Sequence, residues 1–413
     1  MNGYRRQHYV PVFYMKNFSC DGRNVSVFQI DKDKEINRAS IKHQCQENYF
    51  YGDDLSLEHQ YQELEAKWST VIQKAIKDEK LNSNDKSIIK EFALFQRSRT
   101  KNTALYRREQ SKQAVKEWCK STALSHGIDP ESNKEFIEDF ANRKAEELAS
   151  PVEIINMTRD IKPYMDDLDV GVIKYNTRAK LIASDTPVIM KNPIYKFRGD
   201  GIGAIGIVLF FPISPDRLVY IFDSLAYKQP GLIDGIIVSN DDHEVRVLNT
   251  YQYISAENIV FSNSTDHFYD VLPDYKEARE ITKNQDSISV LGTETEKLVA
   301  MSERSIWYNE ELSFCKEPRE FRRIPKECKG PYPRFSNAKT EQSLLVKQQG
   351  INIMSGILKE KGFFGNLSKK EYMRGNREYI RQVQIYWSKH KMLFANEEEI
   401  IAKIEEDDSK DDE

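Results

Sequence analysis

The 413-residue sequence has no long hydrophobic run and only five cysteines. Its most apolar stretch, 205–213, has the length of a strand, whereas a membrane span needs roughly 18 to 20 apolar residues. The cysteines are odd in number, widely spaced and free of CxxC pairs, which argues against a disulfide framework or a zinc site. The N-terminal segment lacks the apolar core of a secretory signal. These absences predict a cytoplasmic protein with reduced thiols and no membrane partner.

The common nucleotide-binding and hydrolase motifs are also missing. The sequence contains no P-loop, no HExxH, no GxSxG and no EF-hand loop. Gly201, Gly203 and Gly206 spell GxGxxG, but the residues that follow have the pattern of a strand. A dinucleotide fingerprint requires a helix N-terminus after the glycines to hold the pyrophosphate. We therefore expect a flexible hairpin turn here and no nucleotide site of that type.

Positive and negative charge are unevenly distributed, although 61 basic and 65 acidic residues give a net charge of only −4. Residues 316–395 carry 18 Lys and Arg against 7 Asp and Glu. Basic side chains interleaved with aromatic ones suit a nucleic-acid backbone and its bases, so RNA or DNA is a candidate partner. Basic helices also commonly form solvated faces that bind nothing. The candidate nucleic-acid-binding residues are Arg322, Arg323, Arg334, Lys369, Lys370, Arg374, Arg377 and Arg381.

Hydrophobic spacing in the first part of the chain predicts a strand hairpin followed by helices. Residues 24–30 alternate like a half-buried strand, and a strand near 36–43 would complete the hairpin. Apolar residues at steps of three and four predict a helix over 55–76. A second helix capped by Asn82–Asn84 is predicted to continue to about residue 119, and a third covers 134–148.

The centre of the chain, 170–240, contains short β-branched and aromatic runs separated by Gly, Pro and Asp, which predict an antiparallel or mixed sheet. Helices precede strands without strict alternation, and this order favours an α+β fold. We expect an α+β domain over 1–290, a basic and mainly helical region over 291–404, and a disordered acidic tail over 405–413. The tail either screens the basic region until a polyanion displaces it or only solubilises the protein.

Several segments between residues 5 and 265 form a recognisable set in a fixed order. They are 8–18 (HYVPVFYMKNF), Glu47 with Phe50 and Tyr51, Glu58 and Glu65, 92–99 (FALFQRSR), 184–188 (SDTPV), 212–219 (PISPDRLV) and Asn249. Together they resemble a family of uncharacterised bacterial proteins, domain of unknown function 4238, and the opening segment and the SDxPV segment are the most specific. The resemblance implies a bacterial or mobile-element origin, with phage defence as a setting, and it supplies no established activity.

Four polar residues from these segments are catalytic candidates, namely His8, Glu65, Arg99 and Asp185. The hypothesis brings them together in one cleft between the helices and the sheet. Glu65 and Asp185 would hold a divalent metal such as Mg²⁺ that activates water. His8 would transfer protons, and Arg99 would stabilise charge that develops on a phosphate.

Each candidate also has a structural interpretation. His8 could be a hydrogen-bonded core histidine, and Asp185 could cap the turn at Thr186. Glu65, which lies two helical turns after Glu58, could simply pair with a neighbouring basic residue. Arg99 against a buried carboxylate is a common structural arrangement.

Three functions remain open from the sequence. The first is a nuclease-like effector that hydrolyses phosphodiester bonds. The second is a non-catalytic protein that binds or senses nucleic acid or another ligand, and the third is a structural interaction protein. A metal-dependent nuclease requires two carboxylates at one metal position in an accessible cleft, whereas the structural alternative predicts that the motif residues are buried and satisfy one another.

Overall fold

The structure is a computed structural model that describes residues 6–52, 56–194, 201–224, 226–227, 229, 234–285, 288–292, 297–301, 306, 308–317 and 334. From the N-terminus to residue 161, its elements are β1 (Arg6–His8), α1 (Val12–Lys16), β2 (Asn24–Gln29), β3 (Lys34–Ser40), β4 (Gln46–Asn48), α2 (Ser56–Ile76), α3 (Ser83–Ser98), α4 (Lys101–Ser125), α5 (Lys134–Leu148) and α6 (Pro151–Ile161). The later elements are β5 (Asp169–Tyr175), β6 (Ala183–Ser184), β7 (Ile189–Lys191), β8 (Val208–Ser214), β9 (Arg217–Phe222), β10 (Ile236–Ser239), α7 (Asp242–Ser255), β11 (Ile259–Ser262), α8 (Tyr275–Lys283), β12 (Ile288–Gly292) and β13 (Lys297–Met301).

A five-stranded mixed sheet in the order β10-β5-β9-β8-β7 forms the centre of the fold. β10 pairs parallel to β5, and the other neighbours pair antiparallel. Successive side chains of a strand point to opposite faces, so Phe210 packs against Tyr251 of α7 while Phe211 packs against Phe92 of α3. Helices cover both faces, and every residue of β8 and β9 is therefore buried.

The N-terminal segment is attached to this centre by strand pairing and by hydrogen bonds. An antiparallel sheet in the order β3-β2-β11-β6 joins the predicted hairpin to the later part of the chain. β1 pairs with β4, with His8 opposite Gln46. The hydroxyl of Tyr14 in α1 donates to the carbonyl of Pro212, and the side chain of Gln96 in α3 donates to the carbonyl of Tyr9. These bonds place the opening segment beside the end of α3.

The predicted continuous helix from Asn82 to about residue 119 is interrupted. α3 ends at Ser98, and α4 begins at Lys101 with Thr100 as its N-cap, whose Oγ1 accepts from the amide of Thr103. Apolar spacing continues through this break, so periodicity alone did not reveal it. The break turns Arg99 into the interior, where only 3% of the residue is exposed.

The α+β class, the N-terminal strand hairpin and the central mixed sheet are confirmed. Within the region after residue 291, the described residues include strand β13 and a short 3₁₀ turn at Ser313–Cys315. The remaining helical prediction and the acidic tail over 405–413 lie outside the described residues. Across the part of the chain that is described, no helix is both long enough and apolar enough to span a membrane.

Candidate functional site

The motif cluster, which we define as His8, Glu58, Glu65, Gln96 and Arg99, surrounds one buried guanidinium. Nη2 of Arg99 lies 2.8 Å from Oε1 of Glu65, and Nε donates to Oε1 of Gln96 at 3.0 Å. The guanidinium also lies 4.7 Å from the ring centroid of Tyr61, which is cation–π geometry. α2 supplies the glutamates and α3 supplies Gln96, so the packing of these two helices builds the cluster.

Burial and charge shift the pKa values of His8 and Glu58 in opposite directions. Burial and the nearby positive charge of Arg99 lower the pKa of His8 below its usual value. Burial and the negative charge of Glu65 raise the pKa of Glu58. Nε2 of His8 and Nη1 of Arg99 are both buried and have no hydrogen-bond partner among the described residues. The cluster therefore holds an imidazole whose lowered pKa favours the neutral form at pH 7, and two buried polar atoms without a partner among the described residues.

Asp185 does not share a partner with this cluster. Its carboxylate accepts three backbone N–H groups, from Glu257 at 2.8 Å, Asn258 at 2.9 Å and Ile259 at 3.1 Å. The buried guanidinium of Arg279 donates to the Glu257 carbonyl close by and contributes the opposite charge. Burial nevertheless raises the pKa of Asp185 to about 6, despite the three hydrogen bonds that lower it. Asp185 thus holds the chain at the start of β11.

The predicted metal ligands do not fit a metal site. One oxygen of Glu65 is bonded to Arg99, and both oxygens of Asp185 accept from backbone amides. Among the described residues, no group of three or more His, Cys, Asp or Glu side chains is arranged to bind a metal. A divalent cation needs several oxygen ligands at one position, and these carboxylates do not provide them.

Arg334 is the one predicted nucleic-acid-binding residue that lies within the described part of the chain. Its guanidinium is fully buried and bonds to Asp167 at 2.7 Å and 2.9 Å. It also donates to the carbonyls of Tyr164, Ile202 and Ala204. This burial corrects the predicted role of Arg334, because a fully buried guanidinium cannot contact nucleic acid. The other seven residues of that prediction lie outside the described residues.

A second feature, the basic pocket, is a cavity of about 580 Å³ beside the motif cluster. The end of α3, the first three turns of α4, residues 186–190 and the end of α7 form its walls, together with parts of α6 and α8. Its polar and charged lining consists of Arg97, Ser98, Asn102, Thr103, Tyr106, Arg107, Gln110, Thr158, Tyr164, Thr186, Ser255, Thr282 and Lys283. Its volume falls within the roughly 300–1,000 Å³ of typical ligand sites.

The charged side chains among the described lining residues are Arg97, Arg107 and Lys283, and none of these lining residues is acidic. Three cations around one cavity favour an anionic ligand. Thr186 supplies a further polar group, since its Oγ1 is buried without a hydrogen-bond partner among the described residues. Gly201, Ile202 and Gly203 border the same cavity and lead into strand β8, with no helix following them.

The break after α3 links the two features. Gln96 and Arg99 face the motif cluster, whereas Arg97 and Ser98, which lie between them in the sequence, line the basic pocket. In the same way, the carboxylate of Asp185 accepts from backbone amides, whereas the next residue, Thr186, lines the pocket. The sequence predicted sites at Arg99 and Asp185, and the structure places the residues beside them, Arg97 and Thr186, on the pocket wall. Arg97 and Thr186 could have been found only as neighbours of the residues that were chosen.

Comparison with known proteins gives one match. A family model described as Protein of unknown function (DUF4238) matches residues 6–266. No curated protein and no solved structure matches the chain. The matched range includes both motifs that supply Arg97, Arg99, Asp185 and Thr186.

Proposed function

This chain belongs to the DUF4238 family, whose function is unknown, and we propose that it binds a small anionic molecule in the basic pocket as a ligand-binding or sensing protein. The observation that carries the proposal is the charge of the lining. Arg97, Arg107 and Lys283 enclose a single cavity, and no carboxylate lies among its described lining residues. Cationic side chains that line one cavity raise the local concentration of an anionic ligand, and this charge favours an anion as the ligand.

The uncharged lining supports a ligand that is more than a simple ion. Leu94, Ile161 and Met190 provide apolar wall, and Tyr106 and Tyr164 provide aromatic side chains. Ligand pockets typically combine such apolar walls with a few polar groups that fix orientation. The expected ligand therefore has an apolar or aromatic body and at least one negative charge.

The proposal is tested by thermal-shift screening of the purified full chain against nucleotides, sugar phosphates and dicarboxylates, followed by titration calorimetry of each compound that stabilises it. A ligand bound only to the folded state raises the unfolding temperature. We expect Arg97→Gln and Arg107→Gln each to weaken binding about tenfold or more, since each removes a charged hydrogen bond worth roughly 1.5–3 kcal/mol.

Arg108→Gln is the matched control for Arg107→Gln. Arg108 is the next residue of α4, but it pairs with Glu146 on α5 and its side chain is 55% exposed. Its replacement should leave affinity unchanged. The proposal is wrong if no anionic compound binds, or if Arg108→Gln and Arg107→Gln weaken binding equally.

Phosphodiester hydrolysis, as by a nuclease-like effector, is the second candidate function. The observation in its favour is the pair of opposite pKa shifts around Arg99, because a neutral His8 can accept a proton and Glu58 retains one to higher pH than usual. Perturbed pKa values are common at catalytic sites. This form of the reaction would need no carboxylate-bound metal.

Incubation of the full chain with labelled RNA and DNA, with and without chelator, tests this second function. We expect cleavage to continue in the presence of chelator. Its rate should decline only below pH ~6.5, because the pKa of His8 is lowered. The His8→Gln variant should cleave at least 100-fold more slowly. His126→Gln is the control, since His126 is exposed just after the end of α4 and its Nδ1 contacts the carbonyl of Thr122. Absence of cleavage by the native protein under every condition would exclude this function.

A further inference from the structure

One end of the basic pocket contains a continuous set of hydrogen-bonding groups. The side-chain amide of Asn102 reaches the carbonyl of Ser255 at 3.5 Å, and the hydroxyl of Ser255 donates to the carbonyl of Thr186 at 3.1 Å. Nη1 of Arg97 lies 3.5 Å from the carbonyl of Val188. Arg97, Asn102, Thr186 and Ser255 are therefore neighbours on one part of the wall.

The N-terminus of α4 opens onto this end of the pocket. α4 has 25 residues, and Asn102 and Thr103 in its first turn both line the cavity. Amide groups and the helix dipole at such an end favour a bound anion. A second observation points to a ligand independently, because Thr186 is 7% exposed and its Oγ1 lacks a partner among the described residues. A buried hydroxyl without a partner is costly unless a bound molecule satisfies it.

The opposite end of the pocket differs in character. Tyr106 and Gln110 continue along the same face of α4 from Asn102, and Ile161, Tyr164 and Ile202 also line the pocket. Aromatic and apolar side chains with a few amide groups suit the stacking and edge recognition of a flat heterocycle. A ligand that fills both ends would thus carry its charge at one end and an aromatic body at the other.

The geometry points to a nucleoside monophosphate as the ligand class, with its phosphate at the α4 N-terminus between Arg97 and Thr186. This inference rests on the proposed binding function and adds the identity and orientation of the ligand. The phosphate would accept from the Thr186 hydroxyl and the Arg97 guanidinium, and the base would lie along Tyr106 and Tyr164. Arg107 and Lys283 would remain available to balance further negative charge.

Calorimetric titration of the full chain with AMP and GMP, with adenosine and guanosine, and with inorganic phosphate tests the ligand class. We expect at least one nucleotide to bind at least tenfold more tightly than either its nucleoside or free phosphate. Thr186→Val, which removes Oγ1 at nearly constant volume, should weaken that nucleotide about tenfold and leave the nucleoside unchanged. Thr186→Ser retains the hydroxyl and should bind like the native protein.

Thr158→Val is the matched control, because Thr158 also lines the pocket but its hydroxyl already donates to the carbonyl of Ile154. Thermal unfolding of each variant shows that it is folded. Equal binding by Thr186→Val and Thr158→Val would overturn the placement of the phosphate. If dicarboxylates bind in an Arg107-dependent way and nucleotides do not, the inference fails while the proposed function stands. If no anion binds, both fail.

Discussion

Replacing Asp185 with alanine is expected to lower the free energy of unfolding by at least about 3 kcal/mol, because three backbone N–H groups lose their only described acceptor. The amides of Glu257, Asn258 and Ile259 all donate to this carboxylate. Each buried donor left unsatisfied costs roughly 1–3 kcal/mol. Asp185 is 2% exposed, so water does not readily replace it.

Urea unfolding measures this loss as a decrease in the midpoint with little change in the m-value. Asp139→Ala is the control, since Asp139 is 68% exposed and forms only an i,i+4 ion pair with Arg143. Its cost should stay within about 0.5 kcal/mol. A structural role further predicts that chelator leaves the effect of Asp185→Ala unchanged. Stability equal to that of the native protein, or a loss that appears only with added metal, would refute this role.

Arg334→Met is expected to destabilise the fold by about 3–5 kcal/mol, since it removes the positive charge from a buried ion pair with the carboxylate of Asp167. Arg334 is 0% exposed, and the side chain of Asp167 is 8% exposed. The carbonyls of Ile202 and Ala204 would lose their donor as well. Because Ile202 borders the basic pocket, we expect ligand affinity to fall together with stability.

A double variant isolates the ion pair. Arg334→Met combined with Asp167→Leu removes both charges, and replacing both partners of a buried pair is far less costly than removing one. The double variant should therefore recover part of the lost stability. Lys80→Met is the control, because Lys80 is 78% exposed and pairs with an exposed Asp234. If Arg334 instead contacted phosphate, its replacement would leave stability unchanged and reduce the salt dependence of nucleic-acid binding by about one charge.

The contrast between His8 and Asp185 shows what motif reasoning can and cannot assign. Both residues stand in the most specific segments of the family resemblance, and both carry groups suited to catalysis. Asp185 lies at the end of a short strand, and its carboxylate accepts hydrogen bonds from three backbone amides. His8 retains a buried Nε2 without a described partner. The sequence suggests a catalytic role equally for both residues. Only their hydrogen-bond partners in the structure distinguish one from the other.

The helix break after α3 had the largest consequence for the site. Arg99 and Arg97 are two positions apart, and on one continuous helix they would lie on different faces with no means to assign either. The Thr100 cap ends that helix, buries Arg99 against Glu65 and leaves Arg97 on the pocket wall. Apolar periodicity continues past Thr100, so it does not reveal this boundary.

The sequence by itself determined the α+β class, the strand hairpin, the long helix over Ser56–Ile76 and the central mixed sheet, because periods of two and of three to four residues report directly on which faces are buried. Only the tertiary structure decided which side chains line the pocket and which form structural hydrogen bonds. The choice depends on partners that are distant in the sequence, such as Ile259 for Asp185 and Glu65 for Arg99. Local patterns carry no information about such pairs until packing brings them together.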